Sequence, residues 1–201
     1  MLLNFCLLIV LGCVYLDVLP FPGTEHFLVI LETERLILRQ VLQSDAAFIR
    51  DLMNEPAYLK NIGDRGVRTV DDATAYVNKA YITSYETKGF GLYLVCGKPD
   101  LEPLGICGLV DREGLDGIDL GYGFKSVFWG RGYAREAAEA TVKLAREKLE
   151  IDRLIAITAE DNGASIGLLE HLGFTFEKMI NLPHDDEEVR LYSLQTSASV
   201  S

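Results

Sequence analysis

The order of secondary-structure signals predicts an α+β fold: a mixed, mostly antiparallel central sheet of about six to seven strands flanked by helices. Three observations carry that prediction. Residues 90–124 hold three short apolar runs, FGLYLVCG, PLGICGLVDR and GIDLGYGF, separated by the turn signals Lys98-Pro99-Asp100 and Glu113-Gly114, which is the pattern of an antiparallel meander. From Gly130 the apolar period lengthens to that of a helix. Beyond it follow one strand, a short helix and a terminal pair of strands, with no internal repeat or low-complexity segment.

Taken in order, ERLILRQV (Glu34–Val41) alternates apolar and charged residues, as a half-buried strand does. Ser44 and Asp45 offer N-cap chemistry for a helix through AAFIRDLMNE, and a loop with Gly63 and Gly66 follows. Thr69 with Asp71 and Asp72 opens a long helix to about Thr87, with carboxylates where the helix dipole favours them. After the meander, the helix from Gly130 to about Glu150 repeats Ala134, Ala138, Thr141, Ala145 and Leu149 along one face. Small residues there let it lie close to the sheet. RLIAITA (Arg153–Ala159) is the next strand, and Asn162 caps a helix ending at Gly173, a position suited to left-handed geometry. FTFEKMI and EEVRLYSLQ complete the sheet.

A chain of 201 residues, 49% hydrophobic and 24% charged, has material for one ordered domain. Its net charge of −11 argues against a nucleic-acid partner, which needs a basic stripe to displace counterions, and suits a cationic substrate. Cys6, Cys13, Cys96 and Cys107 show no C-x-x-C spacing. A metal site or disulfide framework is therefore not expected, and a reduced, cytoplasmic setting is.

Residues 1–20 are almost wholly apolar, with Asn4 and Asp17 their only clearly polar side chains, and lack the Lys or Arg of a secretory n-region. A signal, a short anchor and a start site placed too early all fit; the apolar run barely reaches the roughly 20 residues of a spanning helix. Pro20, Pro22 and Gly23 punctuate the junction, and regular patterning begins near Val29. The segment 1–28 is read as a dispensable extension and 29–201 as a single domain, with membrane contact only if the extension is retained. A monomer and a homodimer are both open.

The stretch with most chemistry is FWGRGYAREA, Phe128–Ala137. A strand, a glycine-rich turn and a helix N-terminus together present unpaired N–H groups at the positive end of a dipole, an arrangement that binds anions. Gly130 and Gly132 let oxygens approach the backbone, Arg131 adds a cation, and Ala134 keeps the first turn open. A plain tight turn is the bland alternative. No G-K-[ST] follows the glycines, and a G-x-G-x-x-G would need a glycine at Arg135, so neither a P-loop nor a dinucleotide fingerprint is present.

GYGFKSVFWGRGYAREA resembles motif A of the GNAT acyltransferase superfamily, whose Q/R-x-x-G-x-G/A loop holds the pyrophosphate of acetyl-CoA. The loop here is Trp129-Gly130-Arg131-Gly132-Tyr133-Ala134, with Trp129 at the usual Gln/Arg position, a departure that resembles the branch of ribosomal-protein N-terminal acetyltransferases (RimJ/RimL-type). LETERLILRQ resembles the opening strand of that branch and DNGASIGLLEHLGF its motif B. The resemblance implies a sheet splayed between its fourth and fifth strands, with the pantetheine arm paired to the free edge at Gly123, Phe124 and Ser126. Splaying would also excuse Gly121 and Gly123 within a strand, where a bulge is the alternative. Asn162 would stand near the cofactor while capping its helix.

The implied activity is acetyl-CoA-dependent N-acetylation of a primary amine, either a protein N-terminal α-amine or a small amine, by direct attack in a ternary complex, without a metal. A non-catalytic acyl-CoA-binding sensor is the alternative. Many relatives carry a tyrosine in motif B as the acid for the leaving thiolate; Leu169 stands there, so Ser165 of N-x-x-S is the substitute acid. Asp119, set opposite Leu120 by strand alternation, is the expected base, ahead of Glu113, His184 and Asp186 in loops. Tyr122 or Tyr133 would line the acceptor cleft.

Overall fold

Strand pairing begins earlier than the patterning suggests. In the computed structural model, which describes residues 27–182 and 188–196, β1 (Val29–Glu32) and β2 (Leu36–Arg39) form a hairpin around Thr33-Glu34-Arg35. The expected single first strand is thus two, and among the described residues the sheet has eight strands rather than about six to seven. Phe27 packs with Val29 and Ile37, and Leu28 accepts a hydrogen bond from the Gln40 N–H, so the ordered unit includes residues just before Val29.

The meander is β3 (Leu92–Gly97), β4 (Glu102–Asp111) and β5 (Ile118–Phe124); β6 is Arg153–Ala159, β7 Thr175–Asn181 and β8 Glu188–Gln195. Their spatial order is β1-β2-β3-β4-β5-β6-β8-β7, antiparallel throughout except for the parallel β5–β6 contact. A parallel neighbour needs a crossover. Helix α5 (Tyr133–Glu147) supplies it, and buries Ala137, Ala138, Thr141 and Ala145 against one face of the sheet. The small-residue stripe therefore does what its spacing predicts.

The opposite face is covered by α1 (Ala46–Met53), α2 (Pro56–Asn61), α3 (Val70–Tyr76) and α4 (Thr83–Lys88), around Ile49, Leu52, Val77, Leu94 and Ile106. Residues 77–82 join α3 to α4 in a π-helical register that buries Val77 and Tyr81. Helix α2 lies where the sequence suggests only a loop, because Pro56 at its first turn needs no N–H partner and Tyr58 finds a buried seat. Thr69 caps α3 as expected, accepting from the Asp72 N–H. Asp45 does not cap α1; its carboxylate is taken by Arg39 at 2.7 Å and by the Leu42 N–H. Helix α6 (Gly163–His171) is capped by Asn162 and ends before Gly173 at φ +87°, as its sequence predicts.

β4 and β5 approach so closely that a Cβ on Gly105 would lie 2.3 Å from the Gly123 carbonyl oxygen and 2.8 Å from Phe124. Gly105→Ala is expected to destabilise the fold by about 1–3 kcal/mol through overpacking. The check is a urea titration: a lower midpoint at unchanged slope is expected, and an unaltered midpoint would show that the β4–β5 spacing is free to relax.

Candidate active site

β5 and β6 pair only at Ile118↔Leu154 and Asp119↔Ile155. Beyond those residues β5 continues to Phe124 and β6 to Ala159 without further ladder pairing, so the sheet opens like a V. This is the splay expected between the fourth and fifth strands, now counted as the fifth and sixth because the first strand is a hairpin. β5 keeps continuous register with β4 through Gly121 and Gly123, so neither glycine marks a bulge. They make room instead: a Cβ on Gly123 would stand 3.2 Å from Tyr58 and from Ile62, and one on Gly121 3.2 Å from Leu92.

At the mouth of the V, the turn Ser126–Phe128 leads into Trp129 and the glycine loop. Gly130 and Gly132 both adopt left-handed backbone, φ +72° and +80°, a second reason for glycine beyond clearance. A Cβ on Gly130 would meet nothing within 4 Å, so the loop faces open space. Helix α5 starts at Tyr133, and the N–H groups of its first turn have no intrahelical acceptor. Open space, orphan donors and a helix N-terminus fit a pyrophosphate. Trp129 is 52% exposed, but its indole N–H donates to the Phe124 carbonyl at 2.9 Å, tying the loop to the end of β5. The Phe124 ring itself is buried in the core, leaving only backbone for a ligand. The Ser126 N–H is engaged by Glu55 Oε2 at 2.8 Å, a link from the start of α2 that the sequence did not reveal.

The two lips meet through side chains. Tyr122 Oη on β5 and Ser165 Oγ in the first turn of α6 are 2.7 Å apart. Burial pushes the Tyr122 phenol up to about 12, against a smaller opposing effect of the Ser165 hydrogen bond. Asn162 accepts from the Ser165 N–H at 3.1 Å and so fixes the turn that carries the hydroxyl. Leu169, one turn further on the same face, is fully buried.

Asp119 sits at the root of the V, on the face opposite Leu120 as alternation predicts. It is 1% exposed and paired with Arg112, whose Nη2 and Nε lie 2.7 and 3.0 Å from Oδ2. Burial raises its pKa, opposed by Arg112 and weakly by the nearby Ile157 N–H, while Oδ1 has no hydrogen-bond partner of good geometry. Glu113 is exposed in its loop, and His184 and Asp186 lie outside the described residues, as do Cys6 and Cys13. Cys96 and Cys107 are buried free thiols. Among the described residues no cluster of His, Cys, Asp and Glu has metal-holding geometry, and no helix is long and apolar enough to cross a membrane.

Glu136, in the first turn of α5, accepts from Thr33 Oγ1 at 2.6 Å and from the Arg35 N–H at 2.9 Å. Partial burial would raise its pKa, but these bonds and the Arg35 guanidinium hold the carboxyl below the usual range. A lowered folded pKa adds stability above the ordinary Glu value that disappears as pH falls through the folded value. Glu136→Gln should therefore be less stable than wild type at pH 7, by up to about 1 kcal/mol given solvent screening. Thermal unfolding from pH 7 to 3 should show that gap closing below about pH 4.3; a pH-independent gap would refute the ionic contribution.

The family model of the acetyltransferase (GNAT) domain matches residues 35–175. YkkB of Bacillus subtilis (strain 168) is 30% identical over 155 residues, covering 75% of this chain and 87% of that protein. The N-acetyltransferase p20 of Bacillus licheniformis is 27% identical over 152 residues, 75% of this chain and 84% of its own. Among solved structures, RimL, a ribosomal L7/L12 α-N-protein acetyltransferase, superposes with a TM-score of 0.74 at 18% identity, covering 89% of this chain and 99% of that one. An acetyltransferase from Agrobacterium tumefaciens strain C58 gives 0.70 at 24% identity, over 88% and 98%. Sequence and fold agree with the splayed sheet and glycine loop already described: the chain belongs to the GNAT acetyltransferase family and is an N-acetyltransferase.

Proposed function

We propose that the protein transfers an acetyl group from acetyl-CoA to a primary amine, a protein N-terminal α-amine or a small amine, by direct attack within a ternary complex in the cytoplasm. The observation that carries this reading is the V between β5 and β6. The β5 lip leads into a glycine loop open to an anion, and a hydroxyl pair, Tyr122 from β5 and Ser165 from α6, bridges the two lips.

The chain's own residues divide the work. The end of β5 at Gly123, Phe124 and Ser126 offers a strand edge for the pantetheine arm, with Glu55 giving up the Ser126 N–H, while the Gly123 carbonyl faces β4 and the Phe124 carbonyl stays with the Trp129 indole. The loop Trp129-Gly130-Arg131-Gly132-Tyr133-Ala134 holds the pyrophosphate by N–H groups, dipole and the Arg131 cation. Asn162 shapes the far lip. Bound acetyl-CoA supplies the activated acyl group. Ser165 protonates the departing thiolate and takes a proton from Tyr122, and the phenolate so formed, made strongly basic by burial, is at once reprotonated from solvent. Asp119 serves as base from the root of the cleft by way of a proton relay, since its unpartnered oxygen is sealed from solvent. Its near-complete burial suits an acceptor that needs little help, and an α-amine, with a pKa of about 7.7–8.0 against about 10.4 for lysine, is such an acceptor.

Acceptors of two structural neighbours agree in kind: RimL acts on a protein α-amine, and SpeG of Vibrio cholerae, in a chimera with hSSAT, is a spermidine N-acetyltransferase. RimL has also been solved with coenzyme A. The net charge of −11 would draw a cationic acceptor toward the cleft.

Two measurements on the full chain test the reading. Acetyl-CoA at about 100 times its Kd should add about 2.7 kcal/mol of stability, seen as a saturable rise in Tm. A folded Gly132→Val variant should show no rise, because a β-branched residue at that left-handed position is strained and crowds the loop. An unchanged rise in that variant would remove the pyrophosphate assignment. Thiol release across a panel of amines should then fall about 100-fold in kcat for Ser165→Ala and less for Tyr122→Phe. Tight binding with no thiol release from any amine would make the chain an acyl-CoA-binding module instead.

A further inference from the structure

The Thr-Glu-Arg-Leu stretch at residues 33–36 touches neither the acyl group nor the acceptor in the proposed transfer. It forms the turn between β1 and β2, and it lies against the start of α5, about a hundred residues away in sequence. Its internal geometry is fixed first: the Thr33 N–H donates to the Leu36 carbonyl at 3.0 Å, and Thr33 Oγ1 accepts from the Leu36 N–H at 3.0 Å. From that rigid turn, Thr33 Oγ1 and the Arg35 N–H both reach Glu136 Oε1, while Arg35 Nε and Nη2 both stand 2.6 Å from Glu136 Oε2. The remaining guanidinium nitrogen, Nη1, donates to the Arg131 carbonyl at 3.0 Å. The Arg35 guanidinium also lies 4.9 Å from the Tyr133 ring centroid.

That last hydrogen bond has a consequence for the loop. In a trans peptide the C=O and N–H point in opposite directions. With the Arg131 carbonyl drawn toward Arg35, the Gly132 N–H of the same peptide unit faces away from it. The left-handed φ at Gly130 and Gly132 makes this orientation reachable, and the fork from Arg35 to Glu136 anchors it to the first turn of α5. We infer that Arg35 is a positioning residue for the pyrophosphate loop: it holds the 131–132 peptide so that an N–H, rather than a carbonyl oxygen, is presented to the phosphates. The inference rests on the loop assignment made above.

Two roles could be confused with this one, and charge separates them. A direct phosphate ligand at Arg35 would act through its positive charge, and Glu136, as a neighbouring anion, would weaken binding. A clamp needs both partners, whatever their sign. Lysine cannot span Glu136 and the Arg131 carbonyl with one planar fork, and glutamine at 136 replaces one acceptor oxygen with a donor facing the guanidinium.

The test is calorimetric binding of acetyl-CoA and of S-acetyl-pantetheine, which lacks every phosphate, to the full chain. The wild type should prefer acetyl-CoA, and Arg35→Ala, Arg35→Lys and Glu136→Gln should each lower that preference by about tenfold, equivalent to one or two hydrogen bonds. Tm values taken in parallel identify any variant that fails to fold, and Arg35→Lys and Glu136→Gln are the milder changes. Restoration of the preference by lysine, or tighter acetyl-CoA binding in Glu136→Gln, would overturn the clamp in favour of direct charge. A preference unchanged in all three variants would overturn it while leaving the loop assignment intact. A wild type with no preference for acetyl-CoA would remove the loop assignment and the clamp with it.

Discussion

The site depends on one constraint: β5 and β6 stop pairing after Asp119 and Ile155. A sheet interior normally satisfies its backbone groups with the neighbouring strand, and a gap leaves N–H and C=O groups that need other partners. Here the two halves of the sheet share one core but carry different helices. β1–β5 are packed under α5 on one face and α1–α4 on the other, whereas β6–β8 carry α6. Where the strands diverge, the proposed function has the pantetheine arm take the place of a ladder.

Asp119 marks the point of divergence. It is the last β5 residue in register with β6, and its carboxylate is held by Arg112 in a place with almost no solvent. A buried carboxylate held by a partly exposed arginine is an unusual way to end a ladder, and burying a charge is tolerable only when it is paired. The ion pair with Arg112 thus gives Asp119 a structural role of its own, and the base proposed for it would share the same fixed position and upward pKa shift.

Distant segments then finish what the strands begin. Helix α2 lays Tyr58 and Ile62 over Gly123 and sends Glu55 to the Ser126 N–H, and Lys60 reaches Asp161 beside α6 at 2.8 Å. That last pair is exposed, so it contributes little energy and chiefly records that α2 spans the two lips. On the other side of the loop the β1–β2 turn braces α5. The glycine loop and the end of β5 are thus supported from both sides by residues that are remote in sequence.

The sequence by itself determined whatever is local. The period-two runs named β3 to β8, the alanine stripe named the buried face of α5, Thr69 and Asn162 named their caps, and the paired glycines named a loop that must come close to something. These follow from propensity, periodicity and turn chemistry, which act over a few residues. The same rules read 34–41 as one strand because a hairpin turn at Thr33-Glu34-Arg35 is specified by pairing with β1 and by Glu136, not by a glycine or proline. They left α2 as a loop, its single turn and a half being stabilised by the seat of Tyr58, and explained Gly121 and Gly123 by splaying when side chains from elsewhere require the space. Only the tertiary structure brought Tyr122 to Ser165, Arg112 to Asp119 and Arg35 to Glu136. Two of these contacts cross between separate elements of the fold, and Arg112–Asp119 closes over a loop, so each partner is chosen by distance in space, which no spacing along the chain encodes.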